Sequence, residues 1–150
     1  MVKTPEFQIV GGTNKRSKNR EWLEIEVEYA TVPEDIDELT FKFTIGIEKK
    51  LLDGEVTYIA IPKDREHYAV MYVSPRALEK VTGGKPLSPA SIENVWVEVG
   101  HAGQILDKAS FKPGPQPNVQ HMAGLVLSKE QTPFAPLYYD RYEAVKPSNR

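Results

Sequence analysis

The chain has 150 residues, 40% of them apolar, which gives about 60 side chains for a core and room for one ordinary domain. Nineteen Lys and Arg stand against 21 Asp and Glu, a net charge of −2 that disfavours general binding to polyanions such as nucleic acid. The lack of Cys excludes disulfides, thiolate metal sites and a cysteine nucleophile. No apolar run approaches the ~20 residues of a membrane-spanning helix.

Residues 1–20 form a basic segment, read as an N-terminal arm or hairpin containing a first strand over Phe7–Val10. Lys3, Lys15, Arg16, Lys18 and Arg20 face only Glu6 there, a net of +4. No 7–15-residue apolar stretch follows Met1-Val2-Lys3-Thr4-Pro5, so no secretory signal is visible. Residues 21–38 hold eight acids and no base. Leu23, Ile25, Val27 and Tyr29 alternate with Glu24, Glu26 and Glu28, which predicts a half-buried strand with a wet acidic face. After a turn at Val32-Pro33-Glu34-Asp35, Leu39, Phe41, Phe43, Ile45 and Ile47 alternate with Thr40, Lys42, Thr44 and Gly46 as a second long strand. Asp53-Gly54 is read as opening a central strand, Val56–Ile61, apolar on both faces.

Tyr68–Val73 is a further strand between Asp64-Arg65-Glu66 and Ser74-Pro75. One helix is legible over Pro75–Thr82: Ser74 suits the N-cap, Pro75 the first helical position, and Gly83 the C-terminal cap. Gly100-His101-Ala102-Gly103 lies between Val95–Val99 and Gln104–Leu106, a hairpin signal. Residues 112–120 carry three prolines and form an extended loop. Leu125–Leu127 and Leu137–Val145 complete the strands. This pattern predicts an all-β fold, an antiparallel two-layer immunoglobulin-like β-sandwich with one short helix near 75–82, as a single domain over 1–150.

No motif for catalysis is present. His67, His101 and His121 lie too far apart for a helical metal pair, and His67 and His101 each read as a surface turn residue rather than a ligand. Gly11-Gly12-Thr13-Asn14-Lys15 lacks the second glycine and the helix of a phosphate loop, and Gly83-Gly84 is a helix end. Glu24/Glu26 and Glu26/Glu28 would serve acid–base chemistry only if burial raised one pKa. Aromatic residues are the candidates for contact: Trp96 points opposite to Val95 and Val97, while Tyr138, Tyr139 and Tyr142 cluster with Phe134. A second core layer beneath the helix is the competing reading for the tyrosines.

Four stretches carry a family resemblance: Trp22–Tyr29, Leu39–Ile45, Tyr68–Pro75 and Pro136–Glu143. Together, over roughly residues 22–146, the chain resembles immunoglobulin-like proteins encoded in type IV pilus gene clusters of mucus-dwelling Verrucomicrobia, which are similar to archaeal-type pilus components. The resemblance implies an exported β-sandwich, periplasmic or at the cell surface after signal removal, with a cytosolic protein as the alternative. It offers no catalytic residue, and the pilin-type hydrophobic N-terminal helix is not in this sequence, so an accessory role is implied rather than a fibre subunit. The expectation is a non-enzymatic interaction module without cofactor or metal. It would dock other pilus or envelope-assembly proteins, or itself, through an exposed strand edge and the surface of Trp96, Tyr138 and Tyr142. A carbohydrate- or surface-binding sandwich is the first alternative, and a small enzyme with an unrecognised site the second.

Overall fold

A computed structural model of the chain describes residues 2–3, 21–31, 34–64, 66–84, 92–135 and 141–146. Ten strands lie among these residues: β1 Val2–Lys3, β2 Glu21–Tyr29, β3 Ile36–Ile47, β4 Lys50–Ile61, β5 His67–Val73, β6 Ile92–His101, β7 Gln104–Ser110, β8 His121–Ala123, β9 Val126–Ser128 and β10 Ala144–Val145. One sheet runs β1-β2-β5-β9; the other runs β10-β4-β3-β6-β7, with β8 also beside β4. The fold is an all-β sandwich with one short helix, as the alternation predicts. One pairing departs from the antiparallel expectation, since β8 runs parallel to β4 with Leu51 opposite His121. It does so because the long loop after β7 carries the chain across the sheet before it pairs again.

The period of two places the core. Leu23 and Ile25 from β2 meet Phe41, Phe43 and Ile45 from β3, with Ala69, Met71 and Val73 from β5 and Val95 and Val97 from β6. Phe43 and Ile45 are wholly excluded from solvent. The helix α1, Pro75–Thr82, adds Ala77, Leu78 and Val81 to the same core. Its first turn is capped as the sequence predicts, with the Ser74 hydroxyl accepting the Ala77 N–H at 3.1 Å, and Gly83 closes it at φ 67°.

Two strand readings change. Asp53-Gly54 does not open a strand but lies inside β4, opposite Thr44 and Phe43. The β3–β4 turn is instead Glu48-Lys49, both at positive φ (51° and 59°), a conformation usually given to Asn or Gly. Gly54 is there for space: a Cβ on it would stand 2.6 Å from the Val126 Cβ and 2.7 Å from the Val126 carbonyl oxygen on the opposing sheet. The expected C-terminal strand also changes over its described residues. Arg141–Glu143 is not extended, and among the described residues there Ala144 and Val145 pair with β4. Phe7–Val10, the glycines at 11 and 12, Val32-Pro33 and residues 136–140 lie outside the described residues.

A second apolar layer forms on the outer face of the four-stranded sheet, away from α1, where Trp22, Val70, Tyr72 and Phe134 pack together. Phe134 stacks on Tyr72 at 4.8 Å and meets Trp22 edge-on at 5.5 Å. Strand β5 is thereby covered on both faces. The acidic face of β2 is not the wet face its composition suggests: Tyr72 donates to Glu24 at 2.8 Å, and Arg141 and Tyr142 both donate to Glu26.

Candidate protein-docking edge

The exposed end of the six-stranded sheet is the β6–β7 hairpin. Ala102 (φ 51°) and Gly103 (φ 83°) make its two-residue turn, joining His101 and the Gln104 opposite it. Ile105 then pairs with Gly100 while Asp107 pairs with Val99, so Leu106 is the extra residue of a bulge. Every residue of β7 is exposed. Ile105, Leu106 and the following Phe111 are 57%, 56% and 59% exposed, and they are the exposed large hydrophobics among the described residues. A shallow groove of about 270 Å³ lies beside the hairpin, lined by Thr40, Lys42, Glu98, Gly100 and Ile105 among others.

The edge is backed by charge and by a loop. Glu55, Lys42, Glu98 and Lys108 stand directly opposite one another across β4, β3, β6 and β7, an alternating row on the outer face. Beyond β7 the chain turns back over that face. Asn94 bonds both the N–H and the C=O of Lys112 at 2.9 Å, and the Gln120 carbonyl accepts from Leu51 N–H at 3.0 Å on the far side.

Of the three residues expected at a contact surface, two are described, and they lie on different sheets. Trp96 lies on the outer face of the six-stranded sheet, half-buried, with its indole N–H donating to the Gly114 carbonyl at 2.9 Å. Gly46 lies beside it, where a Cβ would stand 3.4 Å from the Trp96 ring, an ordinary contact. Tyr142 is half-buried, packs against the cluster of Trp22, Val70, Tyr72 and Phe134 as well as against the main core, and donates to Glu26 on the four-stranded sheet. Tyr138 lies outside the described residues. The edge residues Ile105, Leu106 and Phe111 were missed in the sequence, although the hairpin was not. The available signal was two adjacent apolar residues breaking alternation just before a proline-rich loop, where no further strand can cover them.

The polar candidates are placed structurally. His67 is not a turn residue but a buried one, 5% exposed, because it opens β5 in phase with Ala69 and Met71. Its Nε2 lies 2.8 Å from the Pro62 carbonyl and 3.0 Å from the Thr31 hydroxyl, its Nδ1 lies 3.3 Å from Glu143, and Tyr29 stacks on the ring. His101 pairs with Asp37 at 2.8 Å and His121 with Asp53 at 2.7 Å. Among the described residues no three His, Asp or Glu side chains converge as a metal site would need. Glu26 is held below the usual carboxylate range by its hydrogen bond from Arg141 and, secondarily, from Tyr142, against the upward push of burial. That shift is opposite to what a general acid needs. Burial pushes the Tyr58 hydroxyl up to about 12 while it accepts the Val70 N–H at 3.0 Å in the core.

No helix among the described residues is long and apolar enough to cross a membrane. No curated protein matches the chain. A crystal structure of a protein from Akkermansia muciniphila is similar, with TM-score 0.81 and 24% identity over 98% of this chain and 88% of that one, a likeness of fold. A protein-family model matches residues 1–149, all but the last residue of the sequence, and the chain belongs to that family.

Proposed function

We propose that the chain is a non-catalytic docking module of a pilus-like assembly in the cell envelope, exported to the periplasm or cell surface, with an immunoglobulin-like relationship to pilus accessory proteins. The observation that carries this reading is the edge of β7, unpaired on its outer side among the described residues, exposed along its whole length, carrying Ile105 and Leu106 and followed by Phe111. An apolar strand edge is a ready template for pairing with another chain. Supporting it is the fold shared with a protein of Akkermansia muciniphila, a Verrucomicrobium. The electrostatics agree, since Glu26, Asp37, Glu38 and Asp53 are held by Arg141, His101, Lys146 and His121 in pairs that tie elements together.

The test is site-specific photocrosslinking in cells that express the chain natively, with the reactive group at Leu106 and a control at Lys80 on α1. Envelope-assembly proteins joined from Leu106 and not from Lys80 are the expected result. If the reproducible ligand is instead a sugar or a small metabolite, the docking reading fails.

A further inference from the structure

We infer that the β7 edge receives an extended strand of a second protein, one that sets an acidic side chain opposite Lys108; this rests on the docking reading above and names the partner's chemistry. The Phe111 N–H donates to the Val95 carbonyl at 3.0 Å. Given the register Val97 to Ala109 and Val99 to Asp107, these residues exchange backbone bonds with β6, and Lys108 and Ser110 turn their backbone groups outward. A strand laid there bonds to Lys108 and Ser110 and meets Ile105 and Leu106 at one end and Phe111 at the other.

Charge chooses the strand. The outer row runs acid, base, acid, base through Glu55, Lys42, Glu98 and Lys108, and its last cation is at the edge with its Nζ 3.7 Å from Glu98. The next strand of the ladder stands opposite Lys108, so an acid there extends the alternation, whereas a base repels Lys108. A second copy of the chain is a poor occupant. Antiparallel self-pairing about a two-fold axis sets a residue against itself or against one of equal parity. The registers centred on Asp107 and on Lys108 oppose like charges, and the one centred on Ala109 sets Lys108 opposite Ser110, without the acid that extends the row.

The edge is also guarded. Asp107 Oδ1 accepts the outward Lys108 N–H at 2.8 Å, and the bulge at Leu106 interrupts the ladder. Both devices discourage indiscriminate pairing. An incoming carbonyl must displace the Asp107 carboxylate, so removing that carboxylate strengthens docking.

The probe is a blocked nine-residue peptide of alternating valine and threonine with a central glutamate, beside the same peptide with a central lysine. Both are titrated into the full chain at low salt and read by fluorescence anisotropy. The glutamate peptide binds about fivefold tighter, the upper range for one exposed ion pair. Lys108→Glu inverts the preference, and Asp107→Ala tightens the glutamate peptide. Equal affinities, a preference that survives Lys108→Glu, or a dimer abolished by Ser110→Pro would each overturn the inference. If Leu106 crosslinking still captures envelope proteins, only the partner's chemistry falls; if it captures none, the docking reading falls with it.

Discussion

Gly54→Ala is a one-carbon perturbation at a close approach of the two sheets. The residue lies mid-strand in β4, and the added Cβ points inward, on the side of Phe43 opposite it. It would meet the Val126 Cβ at 2.6 Å, the Val126 carbonyl oxygen at 2.7 Å and the Val126 Cγ1 at 2.9 Å. Two of these three atoms move only with the β9 backbone, so no rotamer change relieves the clash. In an uncrowded strand, replacing Gly by Ala gains roughly 0.5–1 kcal/mol of backbone entropy. Here overpacking opposes that gain, and the net loss is about 2–3 kcal/mol, the upper part of the range for an extra methyl in a packed core. For a chain of this size that lowers Tm by roughly 4–12 °C. Calorimetry and urea unfolding read the loss, and Val126→Gly in the same chain, which removes the Cβ and Cγ1 but leaves the carbonyl, recovers part of it as a favourable coupling. An unchanged or raised Tm for Gly54→Ala would refute the close approach of β4 and β9.

Phe43 is wholly buried between the sheets. Phe43→Ala costs roughly 3–5 kcal/mol in urea unfolding, and a loss under about 1 kcal/mol would show the wrong face in the core. Glu26 is lowered from the ordinary value of 4.5 by Arg141 and Tyr142, so the unfolded chain binds its proton more readily. Its contribution is complete above pH 4.5 and is lost as pH falls through the lower folded value; Glu26→Gln therefore flattens the acid limb of a stability–pH curve, and an unchanged limb contradicts the bonds from Arg141 and Tyr142.

Much of this protein is legible from side-chain alternation alone. Leu39 to Ile47 on one side and Thr40 to Gly46 on the other determine which face of β3 meets the core, because successive residues of a strand must point oppositely. Ser74, Pro75 and Gly83 mark the helix because caps and fixed φ act within a few residues. The hairpin of β6 and β7 is likewise local. The misreadings fall where a distant segment decides the outcome. Asp53-Gly54 looks like the opening of a strand until Val126 of the other sheet shows why a glycine lies inside one. The acidic face of β2 looks wet until Arg141 and Tyr142, over a hundred residues away, bond to Glu26. His67 resembles a loop residue until Thr31, Pro62 and Glu143 enclose it.

The candidate site divides in the same way. The sequence by itself determined that β7 would form and that aromatic and apolar residues would be available for contact. Tertiary structure decided which are covered: Trp96 is pinned by Gly114, Tyr142 lies over Glu26, and Ile105, Leu106 and Phe111 are left at the edge. Alternation records only which of two faces a side chain takes. Whether that face or that edge meets another strand, a returning loop or solvent depends on chain segments far away in sequence, and only the assembled sandwich brings them together.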